Sequence, residues 1–206
     1  MKAVQTHQVL FTIALAVIFW ILTFGIQALN FWLSMSLAAS ILAMLALFFG
    51  GKPFTKEDLH FPSLLLGLGA ALALYLMFWA ESIVSQWLFP FAPSQISSIY
   101  ELRTEGQPFT IALVLLFITS PAEEIFWRGF VQKWAMDKYG SYPGWLLASA
   151  IYGGVHLFSG NFILIMAALT AGLFWGFLYW QSKNLVPCII SHCLWTVGIF
   201  LLAPLA

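Results

Sequence analysis

The sequence predicts an all-α fold, a polytopic bundle of transmembrane helices, on three observations. Hydrophobic residues make up 62% of the 206 residues and charged residues only 8%, where a soluble domain carries about 25% charged. The apolar residues fall in runs of the length that crosses a bilayer, about 20 residues each. Most of the remaining charges gather in the short segments between those runs. So few charges cannot cover a globule in water, so lipid is the solvent for most of the chain.

The same numbers exclude other classes. Eight Lys and Arg balance eight Asp and Glu, so there is no clustered basic surface for a nucleic acid. High hydrophobicity excludes a disordered chain. The length suits one integral membrane domain over residues 1–206. Cys188 and Cys193 lie in an apolar run without a CxxC pattern, and read as small buried hydrophobes.

The elements follow in order. The first span runs from Val9 to about Leu29. Only Lys2 precedes it and no clear small-x-small cleavage site follows, so it reads as a span and not as a signal peptide. Asn30 breaks the chain before the second span, Phe31 to Phe49, which Gly50-Gly51-Lys52-Pro53 ends. Phe54 to Phe61 is a charged loop, and Pro62 opens the third span, to about Leu88. Pro90 to Gln107 is a second wet segment with room for a short surface helix from Ser94 to Glu105. Trp87, Phe89 and Phe91 stand there like an interfacial belt. The fourth span runs from Pro108 to about Met136, the fifth from Gly144 to about Phe158, the sixth from Asn161 to Trp180 and the seventh from Leu185 to Leu202.

About seven spans put the termini on opposite sides. Lys2, Lys52, Lys56, Lys133, Lys138 and Lys183 collect on one side and only Arg103 on the other. The positive-inside rule then places the N-terminus in the cytoplasm.

Ionisable residues inside a span are costly, and each is a functional hypothesis. Glu81, late in the third span, reads as a plain interfacial charge. Glu123, Glu124 and Arg128 share the fourth span, His156 lies in the fifth and His192 in the seventh. At about 1.5 Å per residue, Glu124, His192 and His156 lie roughly 14, 14 and 18 Å from the cytoplasmic ends of their helices, which brings three helices to one layer. Glu124 and Arg128 stand at i,i+4 in the favourable order for an ion pair, so they read as a brace. Glu123 points about 100° away and has no helical partner, which leaves it as the working group. Thr196 lies one turn beyond His192 on its face, where a hydroxyl could orient the ring or hold an oxyanion. Tyr152 lies one turn before His156, and Gly153-Gly154 lets a neighbouring helix approach closely. Gly172 and Gly176 form a small-xxx-small packing pattern in the sixth span.

A carboxylate and two imidazoles could hold zinc as a Glu123/His156/His192 set with a water in the fourth position. Alternatively, Glu123 and one His could activate a water without metal while the other His holds the oxyanion. Other intramembrane hydrolase chemistries lack their residues. The only aspartates, Asp58 and Asp137, lie in loops, and there is neither an HExxH nor a Gly-x-Ser-x-Gly turn.

Three motifs in order resemble a known family. Pro121-Ala-Glu-Glu-Ile-Phe-Trp-Arg-Gly-Phe130 is similar to the EExxxR motif of the CPBP family, the CAAX-processing type II proteases and the bacteriocin-processing or self-immunity proteins. Tyr152-Gly-Gly-Val-His156 is similar to its FxxxH motif, with Tyr for Phe. Ser191-His192-Cys-Leu-Trp-Thr196 is similar to its HxxxN/D motif, with Thr where Asn or Asp is usual. The resemblance covers about Phe109 to Phe200, and the catalytic half is about residues 108–202.

The resemblance implies a multi-pass protein of the cell membrane, an intramembrane endopeptidase whose site opens toward the cytoplasm. Glu123 would activate water with His156, His192 and Thr196 would hold the oxyanion, and Glu124, Arg128 and Tyr152 would support them. It admits either a metalloprotease or a metal-free glutamate mechanism. The partners are then membrane lipid and a membrane-associated peptide or protein tail. A prenylated CAAX tail is one family substrate, and a bacteriocin-like or signalling peptide is the expectation for a prokaryotic member. The alternative function is a non-catalytic immunity or scaffold protein of the same fold. An ion carrier ranks last, because no repeat or pair of broken helices is visible.

Overall fold

A computed structural model describes residues 4–205. Among them all regular structure is helical. We number the helices α1 (Thr6–Ile26), α2 (Phe31–Gly50), α3 (Phe61–Leu88), α4 (Ala92–Glu101), α5 (Pro108–Tyr139), α6 (Ser141–Val155), α7 (Phe162–Ser182) and α8 (Val186–Leu202). Helices α1, α2, α3, α5 and α7 are long and apolar enough to cross a membrane. Of the two others expected to span, α8 is apolar but shorter, and α6 has 15 residues.

Local chemistry explains the boundaries. The Asn30 side chain caps α2 by accepting from the Trp32 and Leu33 amides at 3.1 and 3.2 Å. α6 stops at Val155, earlier than its apolar run suggests. The chain tightens into a 3₁₀ turn over His156–Ser159 and leaves through Gly160 at φ 65°, a left-handed conformation that glycine adopts without strain. His156 therefore stands at a helix end, where the backbone turns.

α5 carries two π-helical turns, Leu115–Thr119 and Trp127–Gln132, on either side of the regular segment Ser120–Phe126. Pro121 has no amide to give to the carbonyl four residues back, so the first widening falls just before it. The stretch between them carries both glutamates.

Side-chain contacts define two ends of the bundle. At one, the Lys138 ammonium donates to the Thr6 hydroxyl and Asn184 donates to the Asp58 carbonyl. At the other, Asn30 donates to the Glu105 carbonyl and Asn161 to the Gln95 carbonyl of α4. Lys52, Lys56, Lys133, Lys138 and Lys183 belong to the first end and Arg103 to the second. Lys2 lies outside the described residues.

In lipid, helices associate through close packing and not through the hydrophobic effect. A Cβ on Gly67 of α3 would stand 2.7 Å from Ile190 Cβ of α8, and one on Gly172 of α7 3.0 Å from the Tyr152 ring of α6. The small-xxx-small pattern in α7 is thus an α6 contact. Gly153 meets Leu169, whereas Gly154 faces open space. Trp20, Trp127 and Trp175 are wholly buried, while Phe48, Phe117 and Trp87 project outward. Cys188 and Cys193 are both buried and free.

Candidate active site

The regular turn of α5 between its π-helical segments aims Glu123 and Glu124 at different neighbours. Glu124 is fully enclosed, and its Oε1 accepts from Arg128 Nη1 at 2.9 Å and from His192 Nδ1 at 2.8 Å. The i,i+4 brace expected from the sequence is present, and it extends to α8. Arg128 is equally enclosed. Its guanidinium lies over the rings of Tyr152 and Trp175, at 4.6 and 5.3 Å from their centroids. Flat aromatic faces suit a weakly hydrated, planar cation, which explains why Arg, and not Lys, can sit so deep.

The same two rings touch the two arms of the site. The Tyr152 hydroxyl donates to Glu123 Oε2 at 3.1 Å. Trp175 stacks on His192, with ring centroids 3.9 Å apart and planes at 20°, and anchors itself by donating from Nε1 to Ser191 Oγ at 3.1 Å. His192 Nδ1 donates to the Glu124 carboxylate, so Nε2 is the nitrogen without a partner among the described residues.

His156 is held differently. Its Nδ1 donates to the Tyr152 carbonyl at 2.8 Å, and its Nε2 accepts from Trp20 Nε1 of α1 at 3.1 Å. A carbonyl can only accept and an indole N–H can only donate, so the two contacts agree on one neutral tautomer. Both ring nitrogens are occupied.

Glu123, His156, His192 and Thr196 line one cavity of about 620 Å³. The four candidates from three spans do come together. The Thr196 hydroxyl, however, donates to the His192 carbonyl of its own helix at 2.7 Å. Its proton is used one turn back and not turned into the cavity.

A zinc ion does not fit these residues. The lone pair that His156 would offer already accepts from Trp20, and among the described residues no three His, Cys, Asp or Glu side chains are grouped to hold a metal.

The cavity walls come from the α4-end halves of the helices: the end of α3, the start of α7, α4 itself and the later turns of α8. Wall residues Val84 and Leu88 of α3 and Phe162 and Met166 of α7 are between 39% and 53% exposed, so the opening lies between α3 and α7. This half lies away from the lysines. The sequence reading expected both a cytoplasmic lysine end and a site open toward the cytoplasm, and the cavity lies at the end opposite the lysines.

Comparison with known proteins bears on the half of the chain that carries the three motifs. Residues 105–198, just under half of the chain, match the family described as Type II CAAX prenyl endopeptidase Rce1-like. This stretch is similar to the Rce1-like family. The match agrees with the resemblance of the three motifs to the CPBP family, and it supports a membrane endopeptidase of the CAAX type. No curated protein and no solved structure gave a match.

Two residues that bear on the cavity precede the matched stretch. Trp20, on α1, occupies His156. Glu81, on α3, lines the cavity and accepts from the Thr170 hydroxyl at 3.0 Å. Sequence reasoning missed Trp20, because nothing sets it apart from other tryptophans in apolar runs. It saw Glu81 as an interfacial charge, and the available signal was an ionisable residue inside a span. Trp175 is within the matched stretch and also went unnoticed, hidden inside a glycine packing pattern.

Proposed function

We propose that the chain is an intramembrane endopeptidase that hydrolyses a peptide bond of a membrane-associated peptide or protein tail without a metal. One observation carries this reading: Glu123 and His192 share one apolar cavity, and His192 is held through Nδ1 by a buried acid. In this mechanism Glu123 takes a proton from water, and the resulting hydroxide attacks the scissile carbonyl carbon. The C=O π bond opens to a tetrahedral oxyanion. His192, its Nδ1–H held by Glu124, donates from Nε2 to that oxyanion. Glu123 next passes its proton to the leaving nitrogen as the C–N bond breaks.

Tyr152 orients Glu123 in this scheme. His156, tied to Trp20 and Tyr152, forms a fixed neutral wall. Metalloprotease chemistry and bacteriocin processing were alternatives in the sequence, and the occupied His156 weighs against the first. The charge rule puts the α4 end outside, so the cavity serves the outer leaflet.

A non-catalytic immunity or scaffold role has one observation in its favour. Thr196, where the CPBP pattern has Asn or Asp, presents no free donor. Peptide cleavage by the purified full chain in detergent separates the readings. An enzyme loses cleavage with Glu123→Gln, whereas a scaffold cleaves nothing and keeps its cellular phenotype with that substitution.

A further inference from the structure

The cavity contains a second carboxylate that the proposed chemistry does not use. Glu81 sits on α3, seven residues before its end, about 10 Å along the axis. A carboxylate turned into an apolar cavity is costly to keep charged and normally pairs with an opposite charge. Glu81 has no such partner among the described residues. Its Oε1 accepts from Thr170 of α7, a neutral hydroxyl, and it joins no ion pair.

Its surroundings offer no Lys or Arg either, and the His192 ring is bound to Glu124. The cavity wall holds Glu81 and Glu123 and neither Lys nor Arg. Arg128 lies behind the wall, bound to Glu124. A hydrogen bond to Thr170 does not require a charge, since a Gln amide oxygen would accept it at far lower cost. The carboxylate therefore calls for a cation that arrives from outside. Its position fits, because Glu81 and Thr170 stand at the seam between α3 and α7 where the cavity opens.

We propose that Glu81 is a specificity-determining residue, which receives a Lys or Arg side chain of the peptide in the cavity. This rests on the endopeptidase reading for its substrate but not for its binding chemistry. In an apolar cavity a carboxylate attracts an ammonium or guanidinium strongly and repels a carboxylate. The apolar walls accommodate the stem of the long side chain while the charged head reaches Glu81.

The test uses the purified full chain in detergent and internally quenched apolar peptides that differ only by Lys, norleucine or Glu, scanned through successive positions around the cleaved bond. Cleavage is read as kcat/KM. Binding is read separately by tryptophan fluorescence in the Glu123→Gln protein. Lys should exceed norleucine at one position by about tenfold or more, with Glu the poorest. Glu81→Gln should bring the Lys-to-norleucine ratio toward one, and Glu81→Lys should turn the preference toward Glu. Thr170→Val, which removes the strut but keeps the carboxylate, should retain the Lys preference. A Lys preference that survives Glu81→Gln, or that disappears equally with Thr170→Val, overturns the proposal. If no peptide is cleaved by the unmodified chain, the endopeptidase reading fails. Glu81-dependent Lys binding would then still support this inference, and equal binding of all three peptides would refute it.

Discussion

His192 Nδ1 lies 2.8 Å from Glu124 Oε1, a contact between α8 and α5 across 68 residues of sequence. The same oxygen accepts from Arg128, so one buried carboxylate both braces its own helix and sets the tautomer of a ring on another. The second oxygen of Glu124 is buried without a partner among the described residues. The acid is thus committed to a single junction, and of the two adjacent glutamates only Glu123 lines the cavity.

That division predicts unequal losses. Glu123→Gln should abolish peptide cleavage and leave thermal unfolding in detergent unchanged, because the shape is kept and only the base is removed. Glu124→Gln should lower stability by about 3–5 kcal/mol, the usual cost of leaving one partner of a buried ion pair alone. An inactive but fully stable Glu124→Gln protein beside an active Glu123→Gln protein would reverse the two roles.

Thr196 should matter little as a donor. Its hydroxyl is spent on the His192 carbonyl, so Thr196→Val should hold turnover within about threefold of the original. The loss of a true oxyanion donor costs about 10²–10³, and a fall of that size would show that the hydroxyl turns into the cavity when substrate binds. Thr196→Asn, which restores the usual family residue, should keep or raise turnover.

Trp20→Phe removes the indole N–H that occupies His156 Nε2 and keeps an aromatic ring in place. Stability should fall by about 0.5–1.5 kcal/mol, the net worth of one hydrogen bond. Turnover should fall far less than with Glu123→Gln, since His156 takes no proton in the proposed scheme. A rate increase would instead reveal His156 as a base that Trp20 holds in check.

Chelation should leave cleavage unchanged after prolonged dialysis against EDTA, with no stoichiometric zinc detected by elemental analysis of the active protein. Activity that disappears with chelator and returns with added zinc would contradict the metal-free mechanism.

Orientation can be read from α4. Ser98 is exposed there, and both native cysteines are buried, so Ser98→Cys gives a single reactive site. A membrane-impermeant maleimide should label it in intact cells. Labelling only after permeabilisation would place the lysine end outside and the cavity toward the cytoplasm.

The sequence by itself determined the helical membrane fold, the division of its charged segments and the identity of the polar residues inside the helices. Composition and run length suffice for that, because an apolar run in lipid must satisfy its backbone internally. The Glu124–Arg128 brace was legible for the same reason, since i,i+4 geometry is local. The α6 boundary was misread, because a 3₁₀ turn and a left-handed Gly160 do not alter hydropathy. Tertiary structure alone decided that Glu124 reaches His192, that Trp20 occupies His156, that the Thr196 hydroxyl bonds to its own helix and that Glu81 faces the cavity of Glu123. Those contacts depend on which helices become neighbours and how each is rotated. Helices apolar on nearly every face leave that rotation unspecified, until close packing of glycines such as Gly67 and Gly172 fixes it.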